Sequence, residues 1–196
     1  MRHPRAIAAL VAALALVLAG CSASDSSGDG KGFNDADVDF ASDMIRHHAQ
    51  ALQMVDLTLG RDLDPAVARL TDQIRAAQAP EIEKMVDWLQ AWDQKVPPTS
   101  RDHANAHAEG HGQDQGMNTD MPGMMSAEQM TALEKAPDGK FQTMWLQMMI
   151  DHHEGAIEMA RTQVEDGQNA KAVALAEDIV SAQKKEIATM QDLLKG

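Results

Sequence analysis

The chain repeats itself at a single offset of 105 residues, and nothing else in it constrains the fold as tightly. Met44-Ile45-Arg46-His47-His48 lies over Met149-Ile150-Asp151-His152-His153, and Ala51 and Met54 lie over Ala156 and Met159. The same offset carries Leu70, Ile74, Gln78, Glu81, Ile82, Met85 and Leu89 onto Leu175, Ile179, Gln183, Glu186, Ile187, Met190 and Leu194 without a gap. Matches spread over two consecutive helical patterns indicate a duplicated helical hairpin.

Local punctuation divides each hairpin. Asn34 or Asp35 can cap a first helix that is expected to run to Leu59 and stop at Gly60. Asp64-Pro65 starts a second helix that continues to about Trp92, with Pro80 expected to kink it. The second hairpin is expected to have helices from about Gly139 to Glu165 and from Asn169 to Lys195. Short turns make consecutive helices antiparallel. The expected fold is therefore all-α: a ferritin-like antiparallel four-helix bundle, about 37 Å long at about 1.5 Å per residue. Residues 34–196 form this bundle, with hairpins at 34–94 and 139–196 and a crossover at 95–138. Within the crossover, Ser126-Ala127-Glu128-Gln129 is a capping box for a short helix before Pro137.

On a helical wheel, Phe40, Met44, His47, Ala51, Met54 and Thr58 form one stripe. Ala41, Ile45, His48, Leu52, Val55 and Leu59 adjoin it, with Asp43, Arg46, Gln50 and Gln53 opposite. The third helix repeats the pattern with Met149, His152, His153 and Met159. Gln78, Glu81, Gln183 and Glu186 fall among core positions of the other two helices. A bundle interior holding four His, two Gln and two Glu needs partners for them, because burying such groups alone costs several kcal/mol. One solution is a closed network in which each Glu accepts from a His. The other is a metal site in which some His ligate while Glu orients their second nitrogens. Met44 and Met149, one turn from the paired His, add thioethers, and that mixture favours copper, especially Cu(I). A di-iron carboxylate site fits less well, since no Glu stands three before any His. Met54, Met85, Met159 and Met190 also fit plain core packing.

A second cluster lies in the crossover: His103, His107 and His111, then Met117, Met121, Met124 and Met125. With no sustained apolar periodicity around them, these Met are expected to have no core to fill. The segment reads either as a solvated linker or as a soft-metal collector.

The N-terminus reads as an address. Arg2 and Arg5 precede an uncharged run from Ala6 to Ala19, too short to span a bilayer and suited to a signal peptide over 1–20. The run ends Leu18-Ala19-Gly20-Cys21, which resembles the lipobox of bacterial lipoproteins and implies lipidation of Cys21. Residues 21–33 then form a Ser/Gly/Asp tether. Whole-chain net charge is −13, and it becomes −15 without the leader (15 basic against 30 acidic residues). Nucleic acid is a poor partner for that surface. The lone Cys excludes an internal disulfide or a Cys-rich metal site. No nucleophile arrangement or phosphate loop is present, so no catalytic residue is assigned and the chain is not expected to be an enzyme.

The doubled Met-Ile-x-His-His-x-x-Ala-(Leu/Ile)-x-Met, with Gln-x-x-Glu-Ile-x-x-Met downstream, resembles the exported bacterial family called domain of unknown function 305. The resemblance spans about Asp37 to Leu194. It implies a ferritin-like bundle and copper binding in support of copper tolerance. By position the motif residues are Met44, His47, His48, Met54, Met149, His152, His153 and Met159. The expected protein is a lipoprotein of the cell envelope, held at the membrane by its N-terminal lipid, that binds copper for buffering or sequestration. A metal-free structural bundle and a ferritin-like oxidoreductase are the alternatives.

Overall fold

The computed structural model describes residues 32–99 and 121–195. The leader, Cys21, and His103, His107, His111 and Met117 lie outside the described residues. Five helices are described: α1 Asp35–Asp56, α2 Pro65–Ala91, α3 Ala127–Glu134, α4 Asp138–Asp166 and α5 Ala170–Leu193. No strand occurs among the described residues.

Side-chain caps set most of the helix starts. Asn34 and Asp37 form a reciprocal capping box on α1, and Ser126 and Gln129 form one on α3. Asp64 accepts from Ala66 N before Pro65 opens α2, and Asn169 accepts from Lys171 N and Ala172 N at α5. The first helix stops at Asp56, three residues earlier than Leu59. Residues 57–60 turn instead, with Gly60 at φ +77°, a conformation that suits glycine. Leu59 is consequently 73% exposed rather than part of the buried stripe. Helix α2 continues through Pro80 to Ala91.

The hairpins α1–α2 and α4–α5 are each antiparallel, and α1 packs antiparallel on α4 to join them. Trp145 Nε1 donates to Met54 O at 2.9 Å across that seam. At the opposite end the buried Asp37 carboxylate accepts from Gln163 Nε2, Gln168 N and Asn169 N. It thereby ties the start of α1 to the start of α5. Arg61, in the α1–α2 turn, donates to Glu134 O, Ala136 O and Asp138 Oδ1 and lies over Phe141, which anchors the corner between α3 and α4. None of the described helices is long and apolar enough to cross a membrane.

The crossover does fill core. Met125, Met130 and Leu133 are buried in one apolar cluster with Met54, Leu70, Trp145 and Met149, and Met121 is buried as well. The expectation that Met121 and Met125 lack a core is therefore overturned. They descend onto the α1–α4 seam, a surface that a helical wheel of either hairpin leaves out. Met124 is partly buried.

Candidate metal centre

Two apolar clusters stack along the bundle. One contains Met54, Leu70, Ile74, Trp145, Met149 and Met190; the other contains Met44, Met85, Leu89, Ala156, Leu175 and Ile179. In the register between them α1 carries His47 and His48, α2 carries Gln78 and Glu81, α4 carries His152 and His153, and α5 carries Gln183 and Glu186. The recurring polar residues thus make one layer through the middle of the bundle, between the two apolar clusters.

The histidine doublet has a geometric reason. Each of α1 and α4 packs against two of the other three long helices, and consecutive residues on a helix point about 100° apart, so one His can face each of those two. His47 and His152 face each other, with ring centroids 3.8 Å apart. His48 turns to α2 and bonds Glu81 Oε2 at 2.7 Å, while His153 turns to α5 and bonds Glu186 Oε2 at 2.8 Å. All four rings are buried.

Hydrogen bonding fixes which nitrogen is left over. A carbonyl only accepts, so His47 Nε2, 3.0 Å from Pro122 O, carries the proton and donates it. In the neutral ring Nδ1 then keeps its lone pair. The carboxylates of Glu81 and Glu186 likewise only accept, so Nε2 of His48 and of His153 carries a proton and donates it. Nδ1 of His47, His48 and His153 has no hydrogen-bond partner. Neither nitrogen of His152 makes a well-formed hydrogen bond, nor does either amide atom of Gln78, nor Oε1 of Gln183. An unmet buried polar atom costs about 1–3 kcal/mol, so the layer is polar, enclosed and short of partners. Burial, reinforced by neighbouring His48, pushes His47 down to about 3 despite the opposing bond to Pro122 O. Burial, then the neighbouring His47, puts His152 well below its usual value, outweighing the nearby His47 carbonyl. Both rings are therefore neutral near pH 7, the form that ligates metals.

Among the described residues no group of three or more His, Cys, Asp or Glu is arranged to hold a metal ion. A site here must use fewer nitrogens or enlist sulfur. Met44 and Met149 are fully buried one turn from His47 and His152, on opposite sides of the layer. Met54 is buried in the cluster of Met149, and Met159 is half-buried against the cluster of Met44.

Residues missed by the sequence reading bind the crossover to this layer. Gln50, expected on the outer face, is fully buried. Its Nε2 donates to Met125 O at 2.8 Å, and its Oε1 accepts from Met125 N at 2.7 Å. Gly123, at φ +74°, and Gly155 let the Pro122-Gly123 backbone lie directly on α4. The one signal for them was a break in the repeat: Gln50 and Gly155 are the same position in the two halves, set between matching His-His and Ala.

Fold and layer together define a duplicated four-helix bundle with a buried, histidine-rich polar layer. The chain belongs to the family Domain of unknown function (DUF305), whose sequence model matches residues 37–194. It is similar to a DUF305 fragment from Deinococcus radiodurans, with 28% identity and a TM-score of 0.68 over 83% of this chain and 97% of that one. A DUF305 protein from Streptomyces coelicolor, inferred to be secreted, gives 32% identity and a TM-score of 0.68 over 82% and 92%. CopM in its Cu(II)-bound form gives 26% identity and a TM-score of 0.64 over 81% and 95%. No curated protein matches the chain.

Proposed function

We propose that this protein binds copper, chiefly as Cu(I), through the His and Met residues of its central layer, and buffers or sequesters the metal in the cell envelope without catalysis. The observation that carries the proposal is the buried set of unpaired imidazole nitrogens. Nε2 of His47, His48 and His153 is already committed to oxygen, and Nδ1 of each has no hydrogen-bond partner. A carboxylate or carbonyl behind a ligating His fixes its tautomer and raises its basicity. Thioethers of Met44 and Met149 above and below supply soft donors that favour Cu(I) over hard cations. The likeness to CopM, solved with Cu(II) bound, supports the choice of metal.

Lipidation of Cys21 would tether the bundle outside the cell membrane, and the signal-like run before it supports that placement. His103, His107, His111 and Met117, with Met121, Met124 and Met125, are then a secondary collecting segment.

Competition of the chain, with Cys21 replaced by Ser, against a Cu(I) chelator tests the reading. Replacing His47, His48, His152 and His153 by Gln, in a variant that retains its helical spectrum, is expected to remove the tight site. Undiminished Cu(I) affinity in that variant sinks the layer as the site. Metal-free wild-type protein recovered from copper-supplemented cells favours a purely structural polar layer.

A further inference from the structure

The segment Met121–Met125 crosses the α1–α4 seam where His47 and His152 meet. It contacts the same repeat position from both helices, and by opposite means. On α1, Gln50 grips both backbone atoms of Met125. On α4, Gly155 has no side chain, and a Cβ built there would sit inside the van der Waals envelope of Pro122 O and 2.6 Å from Gly123 N. A Cβ on Gly123 would in turn lie 2.6 Å from Asp151 O and 3.0 Å from His152 O. The turn is closed by Met124 N donating to Met121 O, with Pro and Gly at its two central positions. Between these two attachments Pro122 O meets His47 Nε2 at 3.0 Å. The pseudo-symmetric counterpart, His152, receives no such bond.

We propose that Gln50, Gly123 and Gly155 are positioning residues for His47. They seat Pro122 O on Nε2, so that the ring presents Nδ1 to the layer, and they close the α1–α4 seam over His47 and His152. Two duplicated half-layers thereby become unequal, with the His47 tautomer fixed by a strap carbonyl that does not reach His152. The inference rests on reading the layer as the binding site, but its test needs no metal.

The experiment uses the apo chain, with Gln50→Ala and Gly155→Ala as independent variants. Long-range proton–nitrogen NMR of the imidazoles at neutral pH reads the tautomer of each His. Carbethoxylation by diethyl pyrocarbonate reads access. Wild-type His47 is expected to give the Nε2–H signature. In both variants it becomes a tautomeric mixture, and His47 and His152 are modified about tenfold faster or more, since at least one strap attachment is lost. His153, whose tautomer Glu186 sets away from the strap, is expected to stay unchanged. Variants that fold yet keep the Nε2–H signature and the protection of His47 overturn the proposal. An equal change at His153 overturns it too, because that signals general loosening. A wild-type chain that binds no copper while the tautomer shift appears removes the copper reading and leaves the strap's role standing.

Discussion

Acid should unfold the apo protein by a route that one ring can report. His47 is buried and held down to about 3 in the folded chain, against 6.5 for an ordinary His. Between those values the unfolded chain takes up a proton that the folded chain refuses. Stability therefore rises with pH through this window, and conversely falls as pH drops from about 6.5 toward about 3. Above about 6.5 the contribution is complete and level. One His of this kind gives a slope of about 1.4 kcal/mol per pH unit. Over the whole window that amounts to about 4–5 kcal/mol, comparable with the total stability of many domains at about 5–15 kcal/mol. His152 acts in the same direction. Urea titrations followed by circular dichroism, with a chelator present, give stability at several values between about pH 7.5 and about pH 4.5. Other groups titrate in the same range, so the informative quantity is the difference from His47→Gln, whose amide can still donate to Pro122 O but takes up no proton. That variant should lose about 1.4 kcal/mol per pH unit from the slope. Identical slopes in the two proteins, or a wild type that gains stability on acidification through this window, would refute the argument that a neutral His47 is enforced by burial.

Two further outcomes follow from single contacts. Asp37→Asn puts an amide donor among Asn34 N, Gln163 Nε2, Gln168 N and Asn169 N, and should cost about 2–4 kcal/mol in urea unfolding; a loss under about 0.5 kcal/mol, the range of an ordinary surface change, contradicts its role in joining the hairpins. Glu81→Gln and Glu186→Gln keep an acceptor but remove the charge behind His48 and His153, and each should weaken Cu(I) binding about 10–100-fold in chelator competition; unchanged affinity in both detaches these carboxylates from the site.

The layer was legible in the sequence because it is duplicated. His48 and Glu81 meet across one hairpin, and His153 and Glu186 meet across the other, so both pairs appear as repeated residues at helical core positions. Helix starts were legible because Asn34, Asp64, Ser126 and Asn169 carry the capping chemistry themselves. The end of α1 was not: Leu57-Thr58-Leu59 continues the apolar period, yet the chain turns there toward the corner that Arg61 fastens, and tertiary contacts outweighed the pattern. Gln50 failed for a related reason. A helical wheel divides core from solvent using one helix alone, and a polar residue on the far side reads as outer surface unless another segment is known to cover it.

Symmetry and its failure therefore carry different information. Where the halves agree, at His47/His152, His48/His153 and Glu81/Glu186, each residue makes its contact within its own hairpin or with its counterpart in the other. A single strap presents different backbone groups to α1 and α4. Gln50 and Gly155, the same repeat position, meet it differently, one supplying hydrogen bonds and the other supplying space. It follows that exchanging the two residues, Gln50→Gly with Gly155→Gln, cannot restore what either substitution destroys, although it conserves composition and both belong to the same repeat position. The strap's polarity is fixed by chain direction, and Gln on α4 would meet the Pro122-Gly123 backbone where no space exists.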